Sequence, residues 1–564
     1  MPEENEIPMG IYLAILATAL LYLLTGLFAR KNTAKKKALL KSRWGKPKDE
    51  GVYPLMTGAY AAIDQKPCFH RLTGQTMQDL DFQALFALLD HTTSRPGEQY
   101  FFNLLQKPID DPEKLLTRDR MADYFLREAA MREWVQLELH RLSSSDAYYI
   151  AGLLDEKPLP RPPWMIWYLA DSLGVFLMLL LSPFYPVLLI WLMLPFALNL
   201  FLHFRNKQAI FPFLRSFPML DQLIRVASKI REKQIPGAPD SGELRQSLAA
   251  LRGFQKKFSL LRFGQSGGDD LGQVAWFFIE IIKAFFLLDV HTFHRLVSDL
   301  EQKKGDIDRL FCFIGFFDTS LSIASLRAGG KPFCKPRFTA ADKKMEAVDQ
   351  FHPLIENCQS NSIRIQDRSI LITGSNMSGK TTFIRAMAVN SLLAQTIYTC
   401  FAQSFLTPFL KVFSSIRIDD SMEEGKSYYF EEVNVMANLI GQIGNGCQHL
   451  FILDEVFKGT NAIERLAAGM AILKYLNQDN HIVLVATHDL ELSALLQNQY
   501  DLYHFSETIQ DSELLFDHRL KPGPLTTRNA IRILEICHFP PEITRQAREL
   551  SQELLPVFAN RTGP

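Results

Sequence analysis

The sequence predicts an all-α region interrupted by apolar helices, followed by a doubly wound α/β domain on a mostly parallel sheet. Two observations carry this. Long uncharged runs and proline-punctuated helical patterns fill the chain to about residue 340. Beyond it, short apolar strands each run into a loop and then a helical pattern. At 564 residues the chain exceeds a single core and calls for three or four folding units. Its 61 basic and 61 acidic residues cancel, which excludes a surface-wide polycation but leaves room for a local basic patch. With 47% hydrophobic and 22% charged residues, the chain is neither disordered nor membrane-embedded throughout. Seven cysteines with no C-x-x-C pair suit a reducing compartment and support neither a disulfide framework nor a zinc knuckle.

The first element is residues 9–29, an uncharged apolar stretch long enough to cross about 30 Å of hydrocarbon. It has no basic leader or small-residue cleavage site, so it reads as an anchor and not as a secretory signal. Acidic residues precede it and Arg30, Lys31, Lys35, Lys36 and Lys37 follow, which places the N-terminus outside and the rest in the cytoplasm. The basic run 35–48 could contact phosphates; directly after a span, anionic headgroups are its favoured partner.

A second apolar block, 164–204, is broken by Ser182-Pro183-Phe184-Tyr185-Pro186 and reads as a helical hairpin. Lys157 and Arg161 before it, with Arg205 and Lys207 after it, put both feet in the cytoplasm. Trp164, Trp167 and Tyr168 suit an interfacial rim, and Asp171 lies close enough to that rim to reach headgroups. The expectation is therefore three membrane spans. Residues 274–290 contain Glu280, Lys283 and Asp289, each costing about 3 kcal/mol at mid-bilayer, and read as a buried core helix.

Ser369–Thr373 is a short apolar strand. It runs into Gly374-Ser375-Asn376-Met377-Ser378-Gly379-Lys380-Thr381-Thr382 and then a helical stretch. This is G-x-x-x-x-G-K-[ST] in its strand–loop–helix setting, where glycines let backbone N–H groups curl round phosphates. Lys380 would reach the terminal phosphates of ATP, and the Thr381 hydroxyl would bind Mg²⁺. A second strand, Leu450–Leu453, ends in Asp454-Glu455, an acid for the Mg²⁺ shell followed by one that can orient the attacking water. A third, His481–Ala486, ends in Thr487-His488-Asp489. There His488 is either a γ-phosphate contact or a plain loop histidine.

The segments TGSNMSGKTTFIRAMA, GKSYYFEEVNVMANLI, LFILDEVFKGTN and LVATHDLELSAL, in that order and spacing, resemble the ATPase domain of the MutS mismatch-repair family. The resemblance implies two ATPase domains face to face, with a serine from the partner completing each nucleotide site. Ser427 holds that position here, with an N-cap role before Tyr428 as its other reading, and Asn438 matches a later asparagine of the same segment. Lys458 replaces the family's usual arginine. FDHRLKPG (516–523) resembles the segment after the last strands and makes His518 a candidate for adenine contact; Arg528-Asn529-Ala530 departs from the family there. Residues 88–132, 305–328 and FHPLIEN (351–357) resemble the family's helical core and its entry to the ATPase domain.

The organisation expected from all this is an anchor (1–30), a linker and first part of a helical core (31–163), a transmembrane hairpin (164–204), a second part of the core (205–340) and the ATPase domain (341–564). The family's mismatch-reading domain has no counterpart in the stretch between the first apolar run and the core, and no residue is identified as a base reader. The expected protein is a multi-pass membrane ATPase, on a bacterial inner membrane by analogy. It would work as a homodimer, with DNA as the partner inherited from the family and a protein or membrane partner as the alternative. An ABC-type transporter fits less well, because no L-S-G-G-Q-like signature is present. Residues 540–555 read either as a helical interface or as an amphipathic surface helix.

Overall fold

Helix formation in the first part of the chain is organised by one long apolar element, the helix Lys304–Ala328. The computed structural model describes residues 31, 33–48, 54–155, 165–239, 242–258, 281–288, 299–340, 343–375, 377–417, 428–443, 446–457, 461–510, 513–525, 530–536 and 538–559. The expected first span (9–29), Asn376, Ser427 and Lys458 lie outside these residues. The described chain forms two compact units. One is formed by the described residues within 1–67, 87–104 and 116–330, and the other by those within 68–86, 105–115 and 331–564.

In the first unit, Ile307, Leu310, Phe311, Ile314, Phe317 and Leu321 of Lys304–Ala328 are fully or almost fully buried. The helix Arg95–Gln106 crosses it at small residues: a Cβ on Gly97 would lie 2.1 Å from Asp318 Oδ2, and one on Gly315 would lie 2.2 Å from the Tyr100 ring. Asp318 in turn accepts from Thr93 N at 2.8 Å and Ser94 N at 2.7 Å, supplying from another helix the N-terminal cap that Arg95–Gln106 needs. Burial pushes the Asp318 carboxyl up to about 6. Arg327, buried, pairs with Asp119 at 2.8 Å and Asp123 at 3.1 Å.

The apolar block 164–204 folds as an arm Met165–Leu181, a turn, a short helical piece Leu188–Trp191, and a helix Met193–Glu232. More than half of the exposed large apolar side chains among the described residues lie between Ile166 and Phe201. Met193–Glu232 runs from that apolar tip without interruption into the helical core, where Phe217, Leu220, Leu223 and Ala227 are buried. The expectation of three spans is not supported. Among the described residues only Lys304–Ala328 is long and apolar enough to cross a membrane, and 83% of its apolar window is buried, as befits a core helix. The apolar helices of the hairpin, Ile166–Leu181 and Leu188–His203, are each shorter than 18 residues. At 1.5 Å per residue, neither apolar stretch reaches about 30 Å, although Met193–Glu232 continues as a helix beyond His203.

Of the segment 274–290, residues 281–288 are described, and they are not fully buried: Ile282 is 51% exposed while Leu287 is 0%. The chain turns at Leu287 (φ 49°), and carbonyls near the break take side-chain donors from the hairpin, Asn199 Nδ2 to Phe285 O at 2.9 Å and Ser172 Oγ to Phe286 O at 3.0 Å. The polar residues of 274–290 pointed to a core helix; these hydrogen bonds seat its described part on the hairpin.

The second unit is built on a six-stranded sheet of β4 (Ser369–Thr373), β6 (Lys411–Ser415), β7 (His449–Asp454), β8 (Ile482–Thr487), β9 (Tyr500–His504) and β12 (Lys521–Pro522). Their order is β12-β9-β4-β8-β7-β6, all parallel except β12 against β9. β4 and β8 are buried along their whole length, which explains their unbroken apolar sequence. The helices Tyr428–Gly441 and Ala462–Leu476 cover one face through Met436, Leu439, Leu473 and Leu476. Four further strands, β1 (Arg337–Phe338), β2 (Lys344–Gln350), β3 (Asn361–Gln366) and β5 (Ser404–Thr407), form a separate sheet ordered β1-β5-β2-β3, and β10 (Glu507–Gln510) pairs with β11 (Glu513–Phe516).

Residues 68–86 and 105–115, expected in the helical core, group with this second unit. The reason is polar. Asp79, 0% exposed, accepts from Ser414 Oγ at 2.7 Å, Ile416 N at 3.1 Å and Arg417 N at 2.8 Å, holding the chain that leaves β6. His70 Nε2 reaches Val412 O at 2.9 Å, and Ile109 N donates to Gln395 O at 3.0 Å.

Candidate active site

The order of the strands puts β4 between β8 and β9, so the loops at their carboxyl ends converge on one crevice. The loop after β4 turns back on itself through backbone conformations that favour glycine: Gly374 has φ +155° and Gly379 φ +112°. A Cβ on Gly374 would lie 2.8 Å from Phe505 O and 2.9 Å from Ser378 Oγ, so only glycine fits there. Met377, at φ 71°, is an exposed non-glycine residue in the same region.

Lys380 opens the helix Lys380–Ala394, and its buried Nζ donates to Gly374 O at 2.7 Å and Ser375 O at 2.8 Å. Ser375 Oγ donates to Glu507 Oε2 at 2.9 Å. Ser378 Oγ is buried and has no hydrogen-bond partner. Thr381 Oγ1 donates to Asp454 Oδ2 at 2.6 Å, which brings together the helix start and the end of β7. Glu455 follows at φ 64°, with its N–H donating to Ala486 O at 2.8 Å and Oε1 accepting from His488 Nδ1 at 2.6 Å. That hydrogen bond, more than anything else, raises the His488 pKa above its ordinary value. Arg465 Nη2 donates to Asp489 Oδ1 at 3.1 Å beside it.

These groups line a cavity of about 800 Å³ that includes Ser375, Met377, Gly379, Lys380, Thr381, Thr382, Asp454, Glu455 and His518. His518 (φ 50°) donates from Nδ1 to Ser378 O at 3.0 Å, and its own carbonyl accepts from Asn361 Nδ2 at 3.0 Å. Of the described residues singled out for the site, all line the cavity except Gly374, Ser378 and His488; Gly374 and Ser378 belong to the loop beside it, and His488 touches it through Glu455, while Asn376 and Ser427 lie outside the described residues. Sequence reasoning missed the opposite wall, formed by Phe351, Ile355, Asn357 and Cys358, and missed Asn361 as the clamp on His518. The segment FHPLIEN was the available signal, but apolar residues ahead of an irregular loop carry no chemistry of their own.

The arrangement fits a magnesium nucleotide. The Thr381 hydroxyl and the Asp454 carboxylate are hard oxygen donors placed side by side. Ser375, Gly379 and Lys380 of the glycine-shaped loop and helix start line the space where phosphates would lie.

Part of the chain is similar to known proteins. Residues 370–555 match the family model for MutS domain V. The chain is 30% identical over 285 residues to the DNA mismatch repair protein MutS of Pseudothermotoga lettingae, covering 48% of this chain and 34% of that protein. It is 27% identical over 281 residues to the protein of the same name from Chloroflexus aurantiacus (47% and 29%), and 28% identical over 235 residues to that of Thermus thermophilus (41% and 28%). The chain therefore spans about a third of the length of the curated relatives it matches. The stretch similar to MutS domain V contains the cavity residues from Ser375 to His518.

Proposed function

We propose that this chain is a membrane-anchored MutS-like ATPase that binds and hydrolyses ATP with Mg²⁺ at a site completed by a second copy of itself. The observation that carries the reading is the convergence of Lys380, Thr381, Asp454 and Glu455 on one cavity beneath a glycine-shaped loop. Loop amides from 374–381 and Lys380 would bind the phosphates, with His518 the candidate for adenine contact. Thr381 and Asp454 would hold Mg²⁺, which when bound would supply charge neutralisation on the phosphate oxygens. Glu455 takes a proton from the attacking water, and His488 fixes the carboxylate orientation through its 2.6 Å hydrogen bond. Ser427 acts from the partner copy.

DNA, mismatched or otherwise structured, is the partner suggested by the named function of the relatives. The exposed apolar hairpin favours a second reading, in which the ATPase serves a membrane or protein partner without DNA. In both readings the hairpin and residues 9–29 hold the chain to a membrane, with the ATPase on the cytoplasmic side of a bacterial inner membrane. The continuous helix Met193–Glu232 links the hairpin to the helical core. The test is ATP turnover by the detergent-solubilised full chain over a protein dilution series, alongside Lys380→Ala. Turnover that rises with dimer concentration and vanishes in the variant is expected. Absent turnover, or turnover by a strict monomer, refutes the composite site. DNA titrations with homoduplex and mismatched duplex across a salt series separate the two partner readings.

A further inference from the structure

The basic run after the first apolar stretch is not a free tail. Leu40 is buried, the Arg132 guanidinium lies 4.1 Å from the centre of the Trp44 ring, and Gly45 (φ +80°) packs on the Ala328 backbone while its N–H donates to Ser325 Oγ at 2.9 Å. Lys48, expected among the phosphate-contacting lysines, is instead committed to Asp90 at 2.7 Å and Glu98 at 2.9 Å. The docked segment closes one side of a cavity of about 120 Å³ in the helical unit.

The lining of that cavity is chemically one-sided. It contains Arg43, Lys46, Lys48 and Arg95, two histidines, several hydroxyls and no carboxylate. Lys48 and Arg95 are offset by Asp90 and Glu98 just behind them. Arg43 and Lys46 have no acidic partner among the described residues, so about two positive charges face the cavity uncompensated. His91 Nε2 is buried there without a hydrogen-bond partner. His140, on the same wall, is held below its ordinary pKa by burial and by the nearby charges of Lys36 and Arg43. A monocarboxylate would leave one charge over, whereas a phosphate monoester carries nearly two negative charges at neutral pH and three acceptor oxygens.

We propose that this cavity is a binding site for a phosphate monoester, either a soluble one or the headgroup of a lipid, held by Arg43 and Lys46 and reached by His91 and His140. The proposal stands apart from the nucleotide site. It is tested on the full chain in detergent carrying Lys380→Ala, so that the loop after β4 does not take up the probe. The probes are inorganic phosphate and vesicles containing phosphatidic acid, with phosphatidylcholine vesicles as the blank. Arg43→Gln and Lys46→Gln, both at exposed positions, should each weaken binding about tenfold, as expected for a lost charged hydrogen bond. Lys46→Arg should restore most of the affinity, and ATP turnover of the chain with Lys380 intact should not change. A loss confined to free phosphate identifies a soluble ligand, and a loss confined to vesicles identifies a lipid; both support the site. Binding of both probes unchanged within threefold in the double variant, with unaltered unfolding curves, overturns it. So does an effect seen only on duplex DNA.

Discussion

Replacing Glu455 by Gln is the sharpest perturbation of the proposed nucleotide site. The side chain keeps its shape but loses its charge and its ability to take a proton. A positioned general base contributes about 10²–10⁴ in rate, so the barrier should rise by about 3–5 kcal/mol and turnover should fall by that factor. Nucleotide binding should stay within about threefold, because the phosphate-facing groups are Lys380 and the loop, not Glu455. The structure adds a second readout. The His488 pKa is raised chiefly by its hydrogen bond to Glu455, so it should fall toward its ordinary value in the variant. Single-turnover hydrolysis with separately measured nucleotide affinity distinguishes a lost base from a lost site. Turnover within tenfold of the native chain would refute Glu455 as the base, whatever the affinity.

Gly97→Ala should destabilise the helical unit by about 1–3 kcal/mol, because the new methyl would occupy the space of the Asp318 carboxylate; chemical denaturation measures it. Asp79→Ala should cost about 3–5 kcal/mol by stranding the buried Ser414 hydroxyl and the Ile416 and Arg417 amides, and it should raise proteolytic cleavage after β6. Stability should decline as pH drops from about 6.5 to 4. His70, His352 and His449 are buried, and burial lowers each to about 4, so the unfolded chain binds protons first; each contributes at most about 3 kcal/mol. Asp318, raised to about 6, opposes them in the same window, and Asp318→Asn should therefore steepen the decline seen in urea titrations at stepped pH.

The turn of the loop after β4, the strand before it and the placing of the acid pair at the end of β7 were legible from the chain alone. Their chemistry is local: a buried parallel strand must be apolar throughout, a phosphate cradle needs glycine at left-handed positions, and the acids sit at the strand end. The hairpin break at Ser182–Pro186 was legible for the same reason, since two prolines forbid a continuous helix. The number of spans was not: the apolar stretches of the hairpin, Ile166–Leu181 and Leu188–His203, are each shorter than 18 residues, and 9–29 lies outside the described residues. Lys304–Ala328, placed in the helical core from the sequence, has the composition of a span and is buried as that reading requires.

What the tertiary structure decided is everything that depends on residues far apart in sequence. Asp79 and the amides near residue 416, Asn361 and His518, Lys48 and Glu98, and Gly97 and Asp318 meet only once the chain has folded. A lone buried carboxylate or lysine carries no sign of its partner in the sequence. Its partner is chosen by the packing that removes both from water, where a polar group left unsatisfied costs more than any local preference can return.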